Sequence, residues 1–232
     1  MRQIVLDTET TGLETSQGHR ILEIGCVELV ERKLTGYHYH QYINPGREVE
    51  AGALEVHGIT NDFLSEKPLF IDIVDDFLDY VKGAELIIHN APFDVGFLNH
   101  ELSLAGSKYG CLADYCTVLD TLDMARKKHP GQKNGLDALC KRYFVDNSQR
   151  DLHGALLDSE LLADVYLLMT GGQASLSLME EQDKVDGDTE AHSQIKRSSE
   201  PLLVIKATAD ELTAHDERLA ALAEKSDLIW PR

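Results

Sequence analysis

Along the first 170 residues the apolar positions change period again and again. Near-continuous or alternating runs give way to three-and-four spacing, the pattern of strands interleaved with helices. Residues 3–7 read as a short strand, and residues 20–30 as a second, rich in Ile, Val and Leu and interrupted at Gly25-Cys26. Residues 33–43 alternate through Tyr37, Tyr39, Gln41 and Ile43 as a third, and the short junction at Glu31-Arg32 predicts an antiparallel hairpin. Helical spacing then sets in over residues 70–81, with Ile73, Val74, Phe77, Leu78 and Val81 on one side and the acids on the other. Residues 84–89 form a buried-type strand, followed by Asn90-Ala91-Pro92, a helix start with proline at the first helical position. Two more helices are expected over residues 136–144 and 155–169. A meander followed by alternating strand and helix predicts an α/β fold, a mixed sheet flanked by helices.

Beyond Met169 the pattern breaks down. Residues 179–200 hold four apolar side chains in twenty-two (Met179, Val185, Ala191, Ile195), a composition that cannot fund a core and reads as a flexible linker reaching roughly 25 Å. Pattern resumes at Pro201 with a strand-like run over residues 202–206. Thr208-Ala209-Asp210-Glu211 is a capping-box signal opening a helix to about Glu224, with Leu212, Leu219 and Leu222 on one face. A unit this small cannot bury enough surface to stand alone, so its apolar face, with Ile229 and Trp230 beyond, is expected to dock on a partner. The predicted organisation is a domain over residues 1–170, a linking segment over 171–200 and a docking segment over 201–232.

Composition adds constraints to this picture. The chain has 232 residues, and its 22 Lys+Arg against 40 Asp+Glu give a formal charge of -18, which argues against sequence-blind electrostatic binding to nucleic acid or an anionic membrane. The apolar runs are too short to span a bilayer, and the strand that starts at once leaves no room for a signal peptide. Cys26, Cys111, Cys116 and Cys140 make no CxxC pair or metal-type spacing, as expected of a reduced, cytoplasmic chain. The charge is uneven, however. Residues 126–150 carry seven bases against two acids and run directly toward His153, which reads either as a solvated helical face or as a basic flank for an incoming strand.

The candidate chemistry lies at strand ends. Asp7 and Glu9 close the first strand two residues apart and therefore project to one face, at the kind of edge where α/β sheets commonly bind ligands. Asp94 falls in the first turn of the helix after the 84–89 strand. Asp158 lies five residues beyond His153, about 140° round a helix, so His153 is expected in the loop that leads into the helix carrying Asp158. Converging carboxylates without a Cys/His cage suit Mg²⁺ or Mn²⁺ rather than Zn²⁺, and two such ions with a neutral histidine are apparatus for phosphodiester cleavage.

The segments Asp7-Thr8-Glu9-Thr10-Thr11-Gly12-Leu13, Val56-His57-Gly58-Ile59-Thr60, His89-Asn90-Ala91-Pro92-Phe93-Asp94 and His153-Gly154-Ala155-Leu156-Leu157-Asp158 resemble, in order, the motifs of the four-carboxylate, one-histidine 3′–5′ exonuclease family. The resemblance implies a ribonuclease-H-like fold and removal of nucleotides from a DNA 3′ terminus as 5′-monophosphates. It further implies two divalent cations, Mg²⁺ or Mn²⁺, held by Asp7, Glu9, Asp94 and Asp158, with His153 as general base. Thr10, Val56, His57 and Phe93 match positions that, with Asp7, Glu9 and Asp158, contact the terminal nucleotide. The pattern departs at Gly52-Ala53, where family members often carry Glu-Ala, and that contact is left unassigned. In the proofreading members of the family, which serve a replicative polymerase, the tail has a counterpart too. Gln173, Leu176 and Leu178, in the segment 173–178, resemble a sliding-clamp peptide. Residues 201–232 resemble a segment that docks on the polymerase catalytic subunit, and a small accessory subunit on the exonuclease domain is a further implied partner. An RNA-trimming exonuclease would need neither clamp peptide nor docking tail, and a non-catalytic clamp–polymerase tether would tolerate loss of a carboxylate or of His153. The expectation is therefore a cytoplasmic proofreading exonuclease at the replisome, with no membrane contact.

Overall fold

The computed structural model describes residues 1–150, 152–171 and 207–223. The chain divides into two units, Met1–Leu178 and Met179–Arg232. In the first, strands β1 (Arg2–Thr10), β2 (Ile21–Val30) and β3 (Lys33–Tyr42) are followed by helices α1 (Ala51–His57), α2 (Asn61–Leu64) and α3 (Phe70–Val81). Then come β4 (Glu85–Ile88), α4 (Ala91–Ala105), β5 (Thr117–Asp120), α5 (Thr121–Lys128), α6 (Leu136–Tyr143) and α7 (Ala155–Thr170). The sheet order is β3-β2-β1-β4-β5. β1 is antiparallel to β2 and parallel to β4, and β5 extends the parallel half.

The mixed sheet follows from the local signals. Glu31 and Arg32 both have positive φ, 50° and 63°, the left-handed pair that a two-residue hairpin between right-twisted strands requires. β1 is apolar at consecutive positions because both of its faces are covered. Ile4 and Leu6 pack with Phe77 and Val81 of α3 and with Phe97, Leu98 and Leu102 of α4. Val5, with Val27, Leu29 and Ile87, packs on Leu162, Ala163 and Tyr166 of α7. The amphipathic 70–81 helix forms with the expected bounds, burying Ile73, Val74, Phe77, Leu78 and Val81.

Three parts of this unit differ from the sequence expectation. The helix after β4 starts at Ala91, so Pro92 is its second residue and Asn90, at φ 66°, is its left-handed cap. α1 buries only His57 and α2 only Leu64, so neither shows an apolar stripe in the sequence. β5 is short and partly exposed, and α5 follows it without a loop because Asp120 caps the helix, accepting from the Leu122 and Asp123 amides at 2.8 and 3.4 Å.

In the second unit the capping-box signal is realised at α8 (Ala209–Ala223). The Thr208 amide donates to Glu211 Oε2 at 2.8 Å, and the Glu211 amide donates to Thr208 Oγ1 at 3.3 Å. Leu212 on this helix is exposed. The segment 173–178, the strand expected over 202–206, and Ile229 and Trp230 lie outside the described residues. Among the described residues no helix is long and apolar enough to cross a membrane.

Candidate active site

The C-terminal end of β1 brings Asp7 and Glu9 out on the α7 face, opposite Gly25 and Glu23 of β2 in the strand register. Gly25 sets how closely α7 can approach. A Cβ there would lie 2.2 Å from the backbone of Ala155 and Leu156, so only glycine admits the helix. Ser159 Oγ donates to the Gly25 carbonyl at 2.9 Å, and the Ala155 amide, first in the helix, donates to buried Glu23 at 3.2 Å. The other oxygen of Glu23 meets His40 Nε2 at 2.7 Å, which ties α7 to both β2 and β3. Asp158 lies in the first turn of α7, buried and aimed at the end of β1. His153 precedes the helix in a loop, its amide donating to the Val56 carbonyl of α1 at 3.0 Å.

From the other side of the sheet, the left-handed turn at Asn90 drops the chain from β4 straight into α4, with Asp94 in its first turn. Asp94 Oδ1 accepts from the Thr8 amide at 3.0 Å and from the Thr8 hydroxyl at 2.7 Å. Because Thr8 projects opposite Asp7 and Glu9, it is the residue that draws Asp94 over the sheet end.

Asp7, Glu9, Phe93, Asp94, His153 and Asp158 line one cleft of about 830 Å³. Glu9, His153 and Asp158 each offer a ligand atom, and these atoms lie within 4.8 Å of one another. Such crowding makes anionic charge costly. Burial, with the Asp158 and Glu23 carboxylates beside it, pushes Glu9 up to about 8. Asp94 is raised to about 7, chiefly by burial, against the lowering effect of the Thr8 hydrogen bonds. Asp7 is held well above the usual carboxylate range by burial and by Asp94, Glu9 and Asp158. A cluster of hard oxygen donors that repel one another fits divalent cations of the Mg²⁺ and Mn²⁺ class, which would replace the protons.

The remaining expected contacts surround this cluster. Thr10 is buried on β1, its hydroxyl donating to the Gly12 carbonyl at 2.7 Å. Phe93 packs on Phe97 at the cleft wall, with ring centroids 4.9 Å apart. His57 is buried and accepts from the Ile59 amide at 3.0 Å, and its Nε2 has no partner among the described residues. Its pKa is lowered, by burial first and in part by nearby His153. Thr10, Val56 and His57 are not among the cleft's lining residues; Val56 reaches the site through its carbonyl. Gly52 is exposed on α1, and a Cβ there would meet no atom of the described residues within 4 Å.

Sequence reasoning missed Arg150 as a site residue. It belongs to the basic stretch read as a solvated face or a strand flank, and only Lys133 and Arg150 of those seven bases line the cleft. Lys127 pairs with Asp123 at 2.7 Å, Lys128 holds the Met169 carbonyl, and Arg142 bonds Asn134 and the Lys133 carbonyl at 3.0 and 2.7 Å. The Arg150 guanidinium instead grips both oxygens of Asp158, at 2.5 and 2.6 Å, and touches His153 and Asp137. Glu23 and Thr8 were also missed. Their one available signal was a polar side chain inside an apolar strand.

Comparison with known proteins meets this geometry. The family model described as Exonuclease (RNase T) matches residues 4–166. DNA polymerase III subunit epsilon of Salmonella typhimurium is 50% identical over 99% of this chain and 97% of its own length. The proteins of that name from Escherichia coli and Rickettsia felis are 49% and 50% identical, covering 99% and 96% of this chain and 97% of each relative. Among solved structures, Exonuclease X in complex with 5′ overhanging duplex DNA superposes with a TM-score of 0.58 at 24% identity, over 74% of this chain and 92% of that one. Exonuclease I superposes with a TM-score of 0.64 at 17% identity, over 74% and 41%. These structures share the ribonuclease-H-like fold with the first unit described above.

Proposed function

The chain belongs to the exonuclease family of DNA polymerase III epsilon subunits, and from that premise we propose that it removes mispaired 3′-terminal nucleotides as a subunit of a bacterial replicative polymerase. The observation that carries this reading is the meeting of Asp7, Glu9, Asp94, Asp158 and His153 in one cleft at the end of β1. Exonucleases of this family use divalent metal ions. Here the four carboxylates would hold two, Mg²⁺ or Mn²⁺, which supply Lewis-acid stabilisation of charge on the phosphoryl group.

The chain's own residues do the rest. His153, half-exposed at the cleft and braced through its amide by Val56, takes a proton from water as the water oxygen attacks the terminal phosphorus. The bond to the 3′ oxygen of the preceding nucleotide breaks, that oxygen gains a proton from solvent, and a 5′-mononucleotide leaves. Thr10, Val56, His57 and Phe93, with Asp7, Glu9 and Asp158, position the terminal nucleotide. Frayed ends react preferentially because a mispaired terminus costs less to unpair, so base readout is unnecessary.

The formal charge of -18 gives the chain weak intrinsic affinity for DNA, and retention comes from tethering. In this reading residues 201–232 bind the polymerase catalytic subunit, and Gln173, Leu176 and Leu178 engage the sliding clamp. The linker lets the nuclease domain reach the primer end in the cytoplasm, at the replisome. A small accessory subunit on the nuclease domain fits the same assembly.

The direct test is degradation of a 3′-labelled mismatched primer–template with Mg²⁺. The wild-type chain should release labelled 5′-mononucleotides, and Asp7→Ala should lose about a thousandfold or more in rate, as removal of several kcal/mol of charge stabilisation implies. Nucleosides or internal fragments as product, or an active Asp7→Ala chain, would overturn the reading.

A further inference from the structure

Arg150 is placed where a strand-binding cation has no reason to be. Its side chain is 7% exposed, and Nε and Nη2 form a fork on the two oxygens of Asp158, a side chain that is itself 4% exposed. The same Nη2 lies 2.9 Å from His153 Nδ1. His153 Nδ1 also lies 3.4 Å from Asp158 Oδ2, so the guanidinium, the carboxylate and the imidazole form one cluster. While this contact lasts, His153 is held against Asp158 by the same guanidinium. Meanwhile both Asp158 oxygens are committed to a cation that is covalently part of the chain.

We propose that Arg150 is a latch on this site, holding Asp158 and His153 together in an arrangement that entering divalent cations must displace. The proposal rests on the metal site described above and deepens it. The competition is physical: a fork and a metal ion seek the same carboxylate oxygens, and two cations a few ångströms apart repel each other. The structure also supplies a place for the released guanidinium. Nη1 already donates to Asp137 at 2.7 Å, and Asp137 lies at the cleft rim, 68% exposed. Movement from Asp158 toward Asp137 frees both Asp158 oxygens and releases His153 in one step. Arg150 is thus a positioning residue: it keeps buried Asp158 paired before metal enters and re-forms that pair when metal leaves.

The test is metal binding rather than turnover. Mn²⁺ is titrated into the full chain, with free Mn²⁺ counted by electron paramagnetic resonance, for wild type, Arg150→Gln, Arg150→Lys and Asp158→Asn. Arg150→Gln should bind Mn²⁺ about tenfold more tightly than wild type, within the usual 5–150-fold range of coupling between sites. Its melting temperature in EDTA should fall by at least ~2–4 °C, and Mn²⁺ should raise it by more than in wild type. Lysine keeps a charge but cannot fork, so Arg150→Lys should fall between the two. If Arg150→Gln does not stay folded without metal, tighter binding by Arg150→Lys carries the test. Unchanged or weaker Mn²⁺ binding in every Arg150 variant that folds would overturn the latch. A wild-type chain that binds no Mn²⁺, or an Asp158→Asn chain that binds it equally well, would overturn the underlying metal site instead.

Discussion

Asp94 and Asp158 are both buried in the first turn of a helix, and both point at the end of β1, but they are held by opposite chemistry. On the α4 side two neutral donors from one residue, the amide and hydroxyl of Thr8, fix Asp94 without bringing in charge. On the α7 side a buried guanidinium fixes Asp158 by neutralising it. Neutral donors can stay in place when a cation arrives, because they occupy part of a carboxylate's lone-pair capacity and do not repel the newcomer. A charged fork cannot. The α4 half of the site is therefore built in advance, whereas the α7 half, which also carries His153, is set by what occupies the cleft.

Breaking the neutral side gives the larger effect on the resting protein. Thr8→Val keeps the shape and the amide bond but removes the hydroxyl donor to a buried carboxyl, and should cost about 1–3 kcal/mol. Denaturant unfolding in EDTA near neutral pH measures it. A loss of a few tenths of a kcal/mol would mean that Asp94 is positioned by the helix and not by Thr8.

A smaller effect sharpens the comparison through pH. With Glu9 near 8, Asp94 near 7 and Asp7 also raised, the folded metal-free protein keeps protons that the unfolded chain releases above its ordinary carboxylate range. Folded-state pKa values that are raised make stability fall as pH rises, here across about pH 4 to 8. Saturating Mg²⁺ replaces those protons and should flatten the slope. Melting curves across this range with EDTA and with Mg²⁺ test it; a flat profile in EDTA would show that the carboxylates share the cleft without real repulsion.

Most of this arrangement was legible before the structure, because it rests on local signals. Asp7 and Glu9 follow a strand with a clear apolar run, Asn90-Ala91-Pro92 announces the helix of Asp94, and the spacing of His153 and Asp158 separates loop from helix. The amphipathic 70–81 helix and the capping box at Thr208 and Glu211 formed for the same reason. What stayed hidden depends on tertiary contact. α1 and α2 bury one side chain each, so no periodicity marks them, and β5 is too short and too exposed to stand out. Arg150 could not be told from the other bases of its stretch, since its inward turn depends on a carboxylate eight residues on and on the histidine between them. Glu23 also stayed hidden, because its role depends on Ala155 coming to rest against it from across the fold.

On the conditional side of the site, His153 is the proton acceptor. Single-turnover release of the 3′-terminal nucleotide, measured for His153→Ala beside wild type at saturating Mg²⁺, isolates that role. The predicted result is a rate lower by about 10²–10⁴-fold, the usual worth of a general base, with Mn²⁺ binding and single-strand binding retained. A rate within a few-fold of wild type would contradict the account.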